Sequence, residues 1–177
     1  METKNQLGVG FLLGLAFFGA AAAAGNSGWQ RFSCPGGKFS LELPAAWQAL
    51  CDVPDIILAA AGKQEGPDDQ YIENLTIAAV PNVPPRTMED FIELYLVFLA
   101  ERIDGFEFVS SRPIRIDGRS ARKLIFFRNL GTEKVKVMQA LVMKGEEIFV
   151  LNFSDSPDTF DRREPDFERA ALSLKFE

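Results

Sequence analysis

Hydrophobic and polar positions alternate along the first part of the chain in the manner of strands. Residues 29–34 lead into the turn signal Pro35-Gly36-Gly37, and residues 38–43 alternate so that Phe39, Leu41 and Leu43 share one side of a half-buried strand. Pro44 ends it, and Trp47 is expected to fold back over the sheet from a loop. Residues 55–60 form a short apolar run, 62–70 a polar loop and 71–80 a further strand, which together predict a hairpin with a long tip. Beyond Pro81, Pro84 and Pro85 the period changes from two to 3.6. Thr87 supplies a capping hydroxyl and Glu89 and Asp90 an acidic first turn. Phe91, Leu94, Tyr95, Phe98, Leu99 and Ile103 then recur at helical spacing, widened by Met88, Ile92 and Leu96, so one face of this helix must be buried against a sheet. Asp104-Gly105 is its stop signal.

The remainder reads as an antiparallel meander. Strands are predicted over residues 106–116, 120–129, 135–144 and 147–155, with turns at Asp117-Gly118, Gly131-Thr132 and Gly145. Residues 158–173 are predicted to be helical in two pieces, because Pro165 is tolerated only in a first turn. Phe160, Phe167, Ala171 and Leu174 form the apolar side. Strands grouped around one helix, with a second helix at the end, predict an α+β domain whose helices cover a central antiparallel sheet.

Residues 7–24 carry no charge and end in five alanines, with small residues at Ala22 and Ala24 as in a signal-peptidase site. Residues 1–24 therefore read as a signal peptide or, uncleaved, a retained membrane anchor, and residues 25–177 as a single domain. The expected location is exported: periplasmic, extracellular or lumenal. Cys34 and Cys51 both lie in the exported part and either pair in an oxidising compartment or remain as two buried thiols.

Histidine is absent from the 177 residues, which removes His-based nucleophile systems, His general acid–base catalysis and His-ligated metal sites. Ser120-Ala-Arg-Lys123 has the spelling of a serine–lysine pair, but it sits in a turn entering a strand, whereas that pair is presented from a helix. Asp155, Asp158, Asp161 and Glu164 lack the alternation and glycine of a calcium loop and read as charges around a helix start. No cofactor is implied. Sixteen phenylalanines against two tyrosines and two tryptophans point instead to a core of rings that need no polar partner.

Charge changes the picture most. Residues 102–144 hold ten cationic side chains against four acidic, while both flanks are acidic and the whole chain carries a net charge of −6. Arg112, Arg115, Arg119, Arg122, Lys123 and Arg128 lie on adjacent predicted strands and turns. They form either a docking face for an acidic protein or an anionic membrane, or one half of an internal charge balance with the flanks. The net negative charge argues against a nucleic-acid partner.

The segment 39–47 (Phe-Ser-Leu-Glu-Leu-Pro-Ala-Ala-Trp), the helix at 87–103, the hairpin 116–122 (Ile-Asp-Gly-Arg-Ser-Ala-Arg), the long strands after it and the closing Leu172-Ser-Leu-Lys-Phe176 together resemble the PsbP-like family. That family includes the extrinsic oxygen-evolving subunits of photosystem II and bacterial exported proteins of unknown role. The resemblance implies an α/β/α sandwich with a central antiparallel sheet and an exported accessory role, and it carries over no catalytic residue. Members that bind calcium or manganese do so through acidic and histidine side chains, and this chain has no histidine. The function expected is therefore non-enzymatic association with a membrane complex or envelope partner. The alternative is a small apolar-ligand carrier, which a cavity lined by Phe91, Tyr95 and Phe98 would support, and the remote third is a photosystem II extrinsic subunit or a hydrolase.

Overall fold

The computed structural model describes residues 28–34, 39–64, 66, 71–82 and 86–177, so the proposed signal segment lies outside the described residues. Strands β1 (Trp29–Ser33), β2 (Phe39–Pro44) and β10 (Lys175–Phe176) form a small antiparallel sheet in the order β1-β2-β10. A seven-stranded antiparallel sheet is built from β3 (Gln48–Val53), β4 (Ile56–Ala61), β5 (Asn74–Pro81), β6 (Glu107–Ile116), β7 (Arg119–Leu130), β8 (Glu133–Lys144) and β9 (Glu147–Asp155), in the order β3-β4-β5-β9-β8-β7-β6. Helix α1 (Met88–Arg102) covers one face. Helix α2 (Pro157–Leu172) and the small sheet cover the other, which makes an α/β/α sandwich.

The layers follow from strand alternation. Along β8, Val135, Val137 and Leu141 belong to the core under α1, while Met138, Ala140 and Val142 belong to the core under α2. On the α2 side Phe167 is the hub, with ring centroids 5.3 Å from Phe153, 5.7 Å from Phe160 and 6.3 Å from Trp47. Short turns set the pairing. Asp117 and Gly118 both have positive φ, 51° and 73°, which matches the twist of the β6–β7 hairpin.

The structure corrects the sequence reading in several places. Residues 48–53, to which the sequence reading assigns no element, form strand β3, paired with β4 through Pro54 and Asp55; Asp55 turns the chain at φ 63°. Helix α2 is one continuous helix with Pro165 inside it, because the apolar side anchored by Phe160, Phe167, Ala170 and Ala171 spans the break that propensity favours. Its N-cap Ser156 makes no side-chain capping bond, and the Ser156 amide instead donates to Asp155 Oδ1 at 2.7 Å. Helix α1 starts as expected, with Asp90 N donating to Thr87 Oγ1 at 3.2 Å. Its buried side is Met88, Ile92 and Leu99, however, and Leu94 is 53% exposed. So broad a hydrophobic stripe does not fix the helix rotation from spacing alone.

Candidate functional site

The sheet face beneath α1 is apolar toward the start of the helix and polar beyond it. Ile148 and Val150 of β9 pack in the α1 core, and alternation places Asn152 and Ser154 on the same face. Cross-strand register then sets Asn152 between Thr76 and Gln139, and Ser154 between Asn74 and Val137. Gln139 Nε2 donates to Asn152 Oδ1 at 3.1 Å. A second group closes on itself: Asn74 Nδ2 donates to the Tyr71 hydroxyl at 3.0 Å, the Tyr71 and Ser154 hydroxyls are 2.8 Å apart, and Ser154 Oγ donates to Asn74 Oδ1 at 3.0 Å. Each member of that ring satisfies the next.

Gln139 is not satisfied in this way. Its side chain is buried at 3% exposure, and Oε1 accepts no hydrogen bond of standard geometry. A buried acceptor without a partner costs about 1–3 kcal/mol, so it calls for an explanation. Gln139 and Asn152 are among the residues lining a cavity of about 160 Å³ between α1 and the sheet, walled also by Tyr95, Phe98, Phe126 and Arg128, although Gln139 Oε1 itself is not accessible from it. Phe91 is not in the wall; it stacks on the Tyr95 ring, with centroids 5.4 Å apart. Burial pushes the Tyr95 hydroxyl up to about 12, partly offset by the Gln139 side chain, so the phenol is neutral at physiological pH. Burial also lowers the Arg128 guanidinium while nearby Tyr71 raises it, and the group remains a cation.

The rim is fixed by backbone geometry. Asn129 N donates to Asp104 O at 2.8 Å, and Asn129 Nδ2 donates to Asp104 Oδ2 at 3.1 Å. Gly105 sits against this pair at φ 62°, where a Cβ would lie 2.5 Å from Asn129 Cγ. Only glycine lets the chain leave α1 in that conformation and still close the rim.

The six cations singled out from sequence do not share one face. Alternation divides them between the two sides of the sheet. Arg112 and Lys123 meet α2: Arg112 pairs with Glu168, and buried Lys123 lies 2.5 Å from Glu164 and 2.6 Å from Glu168. Arg119 is 3.9 Å from Asp117, with its guanidinium 5.3 Å from the Phe176 ring centroid. On the other side of the sheet, Arg115 donates to Gly118 O at 3.0 Å, Arg122 Nε donates to Ser111 Oγ at 2.7 Å, and Arg128 walls the cavity. Lys136 reaches Asp161 at 2.6 Å, so the acidic series 155–164 serves largely as the counter-charge of β7 and β8. Among the described residues no group of three or more His, Cys, Asp or Glu is placed to hold a metal ion. Cys34 and Cys51 form a disulfide, with Cα atoms 5.7 Å apart, that ties the end of β1 to β3.

Gln139 and Asn152 escaped the sequence reading. Their signal was present, since each is a polar residue inside an otherwise apolar strand, at a position where alternation points to the core.

No protein-family model and no curated protein matches the sequence. Solved structures do match. Cyanobacterial PsbP (CyanoP) from Synechocystis sp. PCC 6803 has a TM-score of 0.65 at 16% identity, covering 90% of this chain and 98% of that one. The fold is PsbP-like. The same PsbP-like arrangement is found in LpqN, involved in cell envelope biogenesis of Mycobacterium tuberculosis, with TM-score 0.60, 13% identity and coverage of 84% and 90%. It is also found in the Ran-binding protein Mog1p of Saccharomyces cerevisiae, with TM-score 0.60, 11% identity and coverage of 85% and 96%. Identities this low establish a common PsbP-like fold, and function has to be argued from the site.

Proposed function

We propose that the chain is an exported, non-enzymatic binding protein whose working site is the cavity between α1 and the sheet. The observation that carries this reading is an aromatic-walled cavity of about 160 Å³ between α1 and the sheet, lined also by Arg128, Gln139 and Asn152. An apolar pocket with a few convergent polar groups is the usual form of a small-molecule site. Tyr95 is a neutral donor there rather than an acid or base, and the neighbouring amides and rings hold and orient without reacting. Export is supported by the residue 7–24 pattern and by the Cys34–Cys51 disulfide, a bond kept in oxidising compartments. The LpqN fold likeness, from a protein of cell envelope biogenesis, fits an envelope setting.

The test is a side-chain NMR titration of the purified protein with single-ring compounds, neutral and charged. Binding shifts the Tyr95, Phe98 and Phe126 ring signals together. A panel that leaves all three unmoved removes the ligand-site reading.

A second reading is association with a membrane-complex or envelope protein through the β6–β7 hairpin. It is favoured by Arg115 and Arg119, which flank the hairpin turn on exposed positions. Charge reversal at Arg115, Arg119 and Arg122, followed by co-purification from the native envelope, tests it. An unchanged set of co-purifying species would count against it. Lys123 is excluded from that test because it is buried against α2.

A further inference from the structure

We propose that the outward side of α1 is an interaction surface whose partner is a cationic amphipathic helix of another protein, laying an apolar stripe on Leu94 and Val97 with a basic side chain beyond each end. Neither residue lines the cavity, so the inference stands apart from the ligand-site reading above. Residues 94–100 read Leu-Tyr-Leu-Val-Phe-Leu-Ala without a charge. Such a run covers nearly two turns, more than the single face a helix presents to a sheet. The buried side takes Met88, Ile92 and Leu99, and it leaves Leu94 53% and Val97 56% exposed. A lone exposed apolar residue is ordinary, but these two are three positions apart and therefore adjoin on the helix surface.

Charge brackets the pair. Asp90 stands one turn before Leu94, Glu93 one turn before Val97 and Glu101 one turn after Val97, and all three are exposed. Asp90 is occupied at the helix start, where it accepts from the Thr87 hydroxyl at 2.8 Å. Glu93 and Glu101 enter no ion pair among the described residues, whereas Asp161, Glu164 and Glu168 of α2 all meet lysines of the sheet. Within α1 the exposed acids Glu89, Asp90, Glu93 and Glu101 face a single cation, Arg102. Glu89 and Glu93, four apart, form a like-charge pair that weakens the helix by itself and that a neighbouring cation relieves.

This arrangement selects the occupant. A second copy of the chain fits badly, because an antiparallel pair of α1 helices centred on Leu94 and Val97 sets Glu101 of one copy against Asp90 and Glu93 of the other. An anionic bilayer meets the same repulsion. A helix with an apolar stripe and basic residues about two turns apart matches both features at once: Glu93 and Glu101 are separated by about 12 Å along the axis, with Val97 midway. Apolar contact in the centre and opposite charge at the ends is the arrangement by which helices recognise one another.

The experiment titrates the purified protein with three synthetic helical peptides, one of leucine and lysine, one of leucine and glutamate and one of serine and lysine, and follows the methyl signals of Leu94 and Val97 by NMR. The leucine–lysine peptide is expected to shift both signals and to leave the Phe126 ring in the cavity wall unmoved; the other two are expected to shift neither. Leu94→Gln with Val97→Gln, at exposed positions that leave the unfolding midpoint unchanged, should weaken binding at least about tenfold. Glu93→Lys with Glu101→Lys should transfer binding to the leucine–glutamate peptide. Equal binding of the serine–lysine peptide would mean attraction to net charge alone, and equal binding of the leucine–glutamate peptide would mean unselective apolar contact; either overturns the proposal. So does a silent leucine–lysine peptide. Sedimentation that shows a dimer lost in the Leu94→Gln, Val97→Gln variant assigns the face to a second copy, and binding to phosphatidylglycerol vesicles lost in that variant assigns it to a bilayer, each against the proposal.

Discussion

Lys123 offers the sharpest test of how the two halves of the charge pattern cooperate. Its side chain is 5% exposed, and its ammonium lies 2.5 Å from Glu164 and 2.6 Å from Glu168, each about a third exposed. Lys123→Met keeps the length of the side chain and suits the neighbouring wall of Ile114, Met138, Ala140 and Ala171, so little packing is lost. What remains is two carboxylates facing one another without the cation they share, with only Arg112 still beside Glu168. Breaking a fully buried pair costs about 3–5 kcal/mol, and the partial exposure of both glutamates reduces this to about 2 kcal/mol at pH 7.

The pH dependence identifies the cause. Burial pushes Glu168 up, but the hydrogen bond and charge of Lys123, with Arg112, more than reverse this and leave the carboxyl below its ordinary value near 4.5. A carboxyl held lower in the folded state contributes stability that is complete above the unfolded value and is lost as pH falls through the folded one. Urea unfolding followed by tryptophan fluorescence, over a series from pH 7 to pH 2.5, should show the gap between wild type and variant closing below about pH 4.5. The triple variant Lys123→Met, Glu164→Gln, Glu168→Gln should recover most of the loss at pH 7. A gap of the same size throughout the series, or none at pH 7, would refute the electrostatic account.

Replacing Cys34 and Cys51 by alanine removes a crosslink across 17 positions and is expected to lower the unfolding free energy by about 3 kcal/mol in a urea titration, most of which reduction alone should reproduce in the wild type. Phe167→Ala empties the centre of the α2-side core and should cost about 3–5 kcal/mol, measured by thermal and chemical unfolding. Gly105→Ala imposes a side chain at positive φ against Asn129; a loss of about 1–2 kcal/mol is expected, with weakened ring-probe binding because the rim is displaced.

Much of this architecture was legible because the strong signals were local. The meander from β6 to β9 followed from period-two alternation and the turn residues Asp117-Gly118, Gly131 and Gly145, and α1 from its capping threonine and helical spacing. Strand β3 was missed because Gln48, Ala49 and Cys51 gain strand character only from pairing with β4, a tertiary effect invisible in a six-residue window. The continuity of α2 was missed because Phe160 and Phe167, anchored on opposite sides of Pro165, outweigh a local breaker. The cation cluster looked like one surface because linear density says nothing about which side of a sheet a residue occupies; a one-residue offset puts Arg122 and Lys123 on opposite faces. The helical spacing of Tyr95 and Phe98 marked one wall of the cavity, whereas its polar side showed only as two amides in apolar strands.

The large sheet works as a partition. On one side, interlocking rings and the Lys123 ion cluster bind α2 and the small sheet into a compact block. On the other, α1 rests over a floor that is partly empty and partly polar. Substitutions under α2 should therefore register in melting curves, and substitutions under α1 in occupancy. On the binding-site reading proposed above, a lineage built on this scaffold changes its ligand by altering one stretch of helix and a few inward residues of β7, β8 and β9, while the block behind the sheet keeps the shape.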